Sequence, residues 1–193
     1  MKPVSIIPAP KSVKFLCFLI AAVFLFGGLF AGQSLGASAK EIDASVDAAM
    51  DRFYKHVKDG QEVVHSAKGL LILPNVKKGA LIIGGEYGQG AMRIGGKTVE
   101  YYSMAAGSIG LQIGGQAKDI VLAFNSSDVL KKFRDSKGWE AGVDGNVALV
   151  TLGAGDSAIS AMNEGPIVAF VFDVKGLIAD MSIKGAKFNK LDK

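Results

Sequence analysis

The stretch Ser66–Gly90, SAKGLLILPNVKKGALIIGGEYGQG, restricts the fold more than any other part of the chain. Leu70–Leu73 is a short apolar run stopped by Pro74-Asn75. Proline cannot donate to a β ladder and asparagine tolerates turn geometry, so the pair reads as a strand ending in a turn. Lys77-Lys78-Gly79 follows as a charged corner. A second apolar run, Ala80–Ile83, leads into Gly84-Gly85 and then Gly88 and Gly90. Glycine-dense β segments bend, bulge or let another backbone pass close. No cluster of acids, bases or metal ligands stands here, so the stretch reads as architecture and surface.

Residues 1–39 differ from the rest. Lys2, Lys11 and Lys14 form a basic start without an acidic residue, Phe15–Phe30 is a continuous apolar run, and Ala37-Ser38-Ala39 is an A-x-A signal. These are the parts of a secretory leader cleaved near Ala39. The alternative is an uncleaved anchor, but the 16-residue run is shorter than the roughly 20 residues of a span. Cys17 lacks the small-residue context of a lipoprotein cleavage site. Removing 39 of the 193 residues leaves 154, enough for one domain over residues 40–193. The only cysteine goes with the leader, which excludes an intrachain disulfide and thiolate chemistry. Three of the 22 basic residues go too, leaving 19 against 18 acidic. No global field then draws the chain to nucleic acid, and an acidic partner must be met by a local patch.

Lys40–Val57 reads as an amphipathic helix, with Ile42, Val46, Ala49, Met50, Phe53 and Val57 on one face. Asp43, Asp47 and Asp51 come early and Arg52, Lys55 and Lys58 late, as the helix dipole favours. The helix either packs on a sheet or lies on a membrane, and its acidic first half argues against the membrane. Asp59-Gly60 is a stop, and Gln61–Ala67 reads as a second short helical turn. Strands are expected near Leu70–Leu73, Ala80–Tyr87, Ala91–Ile94, Val99–Ser103, Gly107–Ile113 and Ile120–Phe124. Gly95-Gly96 is a strong hairpin signal and Gly114-Gly115 a similar one. Ser126-Ser127-Asp128 caps a helix with Val129, Leu130 and Phe133 on its buried face, ended by Gly138. Strands resume near Trp139–Val143 and Val147–Leu152. After a loop with a helical turn around Ala158–Met162 come Pro166–Phe172 and Leu177–Ile183. Hairpin-length connections imply antiparallel pairing. The expected fold is α+β: a strongly bent antiparallel sheet or incomplete β-barrel, with an N-terminal amphipathic helix and one mid-chain helix.

Catalytic motifs fail on context. His56 and His65 stand nine apart, too far for a helical zinc pair, which would also need a third ligand. Gly96-Lys97-Thr98 resembles the end of a P-loop, but the motif's first glycine falls at Ala91 and a strand-like segment follows. Ala106–Gly110 has the outline of a nucleophile elbow around Ser108 but lies in extended sequence with no downstream histidine. No catalytic residue, metal or cofactor is expected. Basic residues beside glycine-rich turns remain: Lys68, Lys77, Lys78, Arg93 and Lys97, with Lys131, Lys132 and Arg134 on the middle helix. Such side chains pair with lipid phosphates at about 1 kcal/mol each near an anionic surface. Lys77-Lys78 is the favoured cluster.

Several motifs resemble one family. Ala67-Lys68-Gly69, Pro74-x-Val76-x-Lys78 and Gly84-x-x-Tyr87-Gly88-x-Gly90 are similar to the opening of the SYLF domain. The resemblance continues through Ala106-Gly107-Ser108-x-Gly110-x-Gln112-x-Gly114, Asp119-x-Val121, Phe133 and Gly142-x-Asp144. It closes with Lys175-Gly176-Leu177-x-Ala179 and Ser182-x-x-Gly185, in order over about two-thirds of the chain. The resemblance implies binding of phosphoinositides or other acidic lipids in eukaryotes, and of actin in the yeast member. Bacterial members are usually secreted or periplasmic and labelled lipid-binding. The expectation is a non-catalytic module of the bacterial cell envelope that binds anionic phospholipid or a membrane surface. A structural or interaction protein meeting an envelope protein partner is the alternative.

Overall fold

The computed structural model describes residues 36–78, 85–107, 117–150, 157–173, 176–177 and 183–193. Helix α1, Ala39–His56, opens with a capping box. The Ser38 side chain accepts the Glu41 N–H, and the Glu41 carboxylate accepts the Ser38 N–H at 2.7 Å. Reciprocal caps of this kind satisfy donors that the first turn leaves unpaired. The short α2, Gly60–Ser66, follows Asp59, whose φ of 61° is left-handed.

Strand β1 spans Gly69–Lys78, β2 Glu86–Ile94, β3 Lys97–Ala106 and β4 Lys118–Phe124. Helix α3, Ser127–Asp135, is capped by the Ser126 hydroxyl, which accepts the Asp128 N–H. Two short strands follow, β5 (Trp139–Glu140) and β6 (Ala148–Leu149). Helix α4 (Ala158–Ala161) and a 3-10 turn (Met162–Glu164) lead to β7 (Ile167–Asp173), β8 (Gly176–Leu177) and β9 (Lys187–Leu191). The strands form one curled, half-barrel sheet in the order β5-β9-β3-β2-β1-β4-β7-β6, with β8 on β7. All these elements lie in one unit, Ala37–Lys193.

The sheet departs from the sequence expectation in four places. First, Pro74-Asn75 does not end a strand. β1 runs on to Lys78, with a bulge between Ile72 and Lys77 on the β2 side and between Leu73 and Val76 on the β4 side. A bulge accepts a residue that cannot donate, and Asn75 takes a left-handed φ of 52°. The cross-strand partner that holds it is Asp119, whose carboxylate accepts the Asn75 N–H at 2.9 Å and a bidentate Arg52 at 2.6 and 3.0 Å. Second, the segments expected at Ala80–Tyr87 and Ala91–Ile94 meet in one strand, β2; residues 79–84 lie outside the described residues. Third, the pair β6–β7 is parallel, and the connection between them, which carries α4, is long enough for the crossover such a pair requires. Fourth, β9 was not expected, because only Phe188 of its five residues is buried. The middle helix also stops at Asp135, ahead of Gly138. The expected strand at Gly107–Ile113, the turn at Gly114-Gly115 and most of Leu177–Ile183 fall outside the described residues.

Every residue of β4 is buried. The continuous apolar run Ile120–Phe124 therefore has a core on both faces, as such runs do. On the inner face Leu71, Leu73, Ile120, Leu122, Phe124, Ala169 and Val171 meet Leu130 and Phe133 of α3. The Phe133 ring lies 5.0 Å from Phe124, 5.2 Å from Tyr102 and Trp139, and 5.9 Å from Phe188, so it plugs the curl. On the outer face Leu70, Ile72, Val121, Ala123, Val168, Phe170 and Phe172 meet α1 and α4. Phe53 of α1 stacks edge-on against Phe170 at 5.3 Å. The amphipathic helix thus packs on the sheet.

Gly90 shows why this bend needs glycine. A Cβ there would fall 1.9 Å from the Ile72 carbonyl oxygen on the bulged strand. The hairpin expected at Gly95-Gly96 joins β2 to β3 with φ of 57° and 78°.

Candidate functional site: a groove beside the first hairpin

Along α1, Met50 and Asp51 stand three and four residues after Asp47, and Tyr54 four and three residues after them, so the four form one stripe. The stripe faces Val64 and His65 of α2, Ala67, Gly69 and Leu70 at the start of β1, and Arg93, Gly95 and Gly96 at the hairpin. Together these enclose a groove of about 700 Å³. A Cβ on Gly95 or Gly96 would meet nothing within 4 Å, so the hairpin side stays open.

Three polar ties hold α1 over this part of the sheet. Asp43 accepts from Thr98 Oγ1 and from the Tyr101 hydroxyl, each at 2.8 Å. Asp47 pairs with Arg93 Nη2 at 2.6 Å. The acidic first half of the helix, read in sequence as complementing the dipole, also serves as its anchor. Arg93 Nε is buried and has no acceptor among the described residues.

Two lysines adjoin the lining in sequence. Lys68 lies between the lining residues Ala67 and Gly69, and its N–H is fixed on the Phe124 carbonyl at 2.7 Å. Lys97 directly follows Gly96. Both lysines are exposed, and neither side chain has an ion-pair partner among the described residues. Helix α3 reaches the same end of β1 from the other, inner face of the sheet, where a Cβ on Gly69 would touch Leu130 at 2.9 Å. On that helix Lys132 is exposed and unpaired among the described residues, whereas Lys131 pairs with Asp135.

Arg134 is committed elsewhere. Its guanidinium grips Glu100 at 2.8 and 3.0 Å, Lys190 adds a contact at 2.6 Å, and the Tyr102 hydroxyl donates at 2.7 Å. Burial opposes ionisation of Glu100, but the bonds from Arg134, Lys190 and Tyr102 outweigh it and hold the carboxyl at about 2. Burial and then the bond to Glu100 push the Tyr102 phenol well above its ordinary range.

Lys77 and Lys78 lie at the opposite end of β1, across from Tyr87 and Glu86. Lys68 and Lys77 stand nine residue steps apart along the strand, roughly 30 Å. Lys77 borders a shallower pocket of about 410 Å³ with Ile42, Pro74, Asn75 and Tyr87. At the same end of β1, where Val76 faces Lys118 and Lys78 faces Glu86, Lys118 and Glu86 form a buried pair at 2.7 Å. The eight basic residues singled out in sequence therefore do not form one site. Lys68, Arg93, Lys97, Lys131, Lys132 and Arg134 share one end of the sheet, and Lys77 and Lys78 hold the other. Of the groove's own lining, sequence reasoning named only Arg93 as a site residue. Tyr54, Val64 and His65 carry no motif, and only the folded chain brings the helical stripe against the hairpin. No group of three His, Cys, Asp or Glu side chains among the described residues is placed to hold a metal.

A helix-plugged, curled sheet with a lined groove makes this a domain of the α+β class. Residues 105–193, a little under half of the chain, match the Ysc84 family, described as Las17-binding protein actin regulator. This is the SYLF family that the motifs resemble, and the match is to the carboxy-terminal part of the chain. No curated protein matches the chain at a significant level. The family match begins near the end of β3, so every lining residue of the groove precedes it.

Proposed function

We propose that the protein is a non-catalytic lipid-binding module of the bacterial cell envelope, with anionic phospholipid as its ligand. Residues 1–39 act as a secretory leader removed near Ala39, and the domain that follows works in the periplasm or outside the cell. One observation supports the lipid reading: Lys68 and Lys97, exposed and without an ion-pair partner among the described residues, are chain neighbours of a groove whose lining includes Met50, Tyr54, Val64 and Leu70. The lysines meet a phosphate at the mouth while the groove takes apolar atoms behind it. Each lysine contributes about 1 kcal/mol near an anionic surface, so losing both weakens binding by roughly tenfold or more. Arg93 pairs with Asp47, and the exposed Asp51 leaves the lining with one net negative charge that the two lysines offset.

The test is co-sedimentation of the leader-free protein with phosphatidylglycerol-containing and with pure phosphatidylcholine vesicles. Binding that needs the anionic lipid, weakens with salt and falls in Lys68→Ala/Lys97→Ala supports this site. Binding lost instead in Lys77→Ala/Lys78→Ala moves the site to the far end of β1. The family description favours a second reading, since it names a protein as the bound partner. Absence of binding to both vesicles would replace the lipid by an envelope protein partner.

A further inference from the structure

Ala37 and Ser38 are working parts of the domain. The Ala37 N–H donates to Gln89 Oε1 at 3.1 Å, and Gln89 Nε2 in turn donates to the Tyr87 hydroxyl at 2.9 Å. The Ala37 carbonyl accepts from Lys193 Nζ at 2.7 Å. Ser38 exchanges three hydrogen bonds with Glu41, two given and one received, at 2.7, 2.8 and 3.3 Å. The bonds from the Ser38 backbone and then its hydroxyl hold the Glu41 carboxyl below its ordinary range.

Cleavage after Ala39, where the A-x-A signal points, would discard all of this. It would remove the cap and both ties through Ala37. It would also place a new α-ammonium on Lys40, inside the first turn of α1, where the helix dipole already presents positive charge. Cleavage three residues earlier avoids each loss. An ammonium on Ala37 still donates to Gln89, and it stands two residues ahead of the helix. The sequence there also suits a leader peptidase, which takes small residues one and three positions before the cut; Gly36 and Ser34 occupy those positions.

We infer that the leader is removed by hydrolysis of the Gly36–Ala37 peptide bond, provided that the leader proposed above is removed at all. Water adds across that bond, leaving a carboxylate on Gly36 and the α-ammonium on Ala37. The mature chain is Ala37–Lys193, with the capping box intact.

The full chain, expressed in a bacterium with its own leader peptidase, tests this by intact mass and amino-terminal sequencing of the processed product. Ala37 is the expected first residue. Lys40 as the first residue would overturn the inference while leaving the leader in place. An unprocessed Met1 product would remove the leader itself, and the inference with it. A second measurement compares thermal unfolding of Ala37–Lys193 and Lys40–Lys193. The shorter chain should melt lower by roughly 2–8 °C, and equal midpoints would mean that Ala37 and Ser38 contribute nothing to hold.

Discussion

Glu100 is the residue on which most charges converge. Its side chain is 13 % exposed and accepts from Arg134, Lys190 and Tyr102. Its folded value of about 2 lies below the ordinary 4.5, so its contribution is fully present above about pH 5 and fades as the pH falls towards 2. Glu100→Gln should lower stability by about 1–3 kcal/mol at pH 7 and flatten the acid limb of the stability profile. Urea unfolding between pH 7 and pH 2.5 checks both; an acid limb as steep in the variant as in the parent would assign the loss to other carboxylates. The hub was invisible in sequence because Arg134 and Lys190 stand 34 and 90 positions away. Gly90 was more legible. Glycine inside a strand pattern signals close approach, and only the identity of the approaching atom, the Ile72 oxygen, had to come from the fold.

Among the elements, α3 shows where local sequence suffices and where it stops. Its serine cap and the burial of Leu130 and Phe133 were readable, because capping and helical periodicity are local. That Phe133 sits among Phe124, Tyr102, Trp139 and Phe188 was not readable, because those rings arrive from four other parts of the chain. Phe133→Ala should therefore cost about 3–5 kcal/mol in urea denaturation, and a loss below about 1 kcal/mol would deny α3 its role as the plug. β1 teaches the complementary point. Pro-Asn marks a turn and a bulge equally well, and what decides is the Asp119 carboxylate supplied by β4. β9 escaped notice because Lys187, Asn189 and Lys190 are exposed and one phenylalanine makes too short a pattern. The groove is a matter of elements too: the spacing of Asp47, Asp51 and Tyr54 was on view, but not what α1 would face.

At the scale of the whole molecule, two hydrophobic layers share their strands. Leu71 and Leu73 point into one layer and Leu70 and Ile72 into the other, and β4 and β7 divide in the same way. Neither layer can be lost while the other keeps its wall, so the domain should unfold in one transition. The single tryptophan, Trp139, reports the inner layer, and far-UV circular dichroism reports all elements. The two unfolding curves should coincide in guanidinium chloride. Fluorescence that changes at a separate midpoint would mean that the layers are independent. The α+β class and the curl were legible because glycine turns and two-sided apolar runs are written locally. The strand order and the parallel β6–β7 pair depend on contacts between distant segments. The family match has a consequence of its own. It covers much of the curled wall and the plug, while the groove belongs to the part of the chain ahead of it. On the function proposed above, scaffold and specificity are separable along the chain. A graft that rewrote only the exposed stripe of α1 and the lysines beside the hairpin could retarget the protein without touching a residue by which it is recognised.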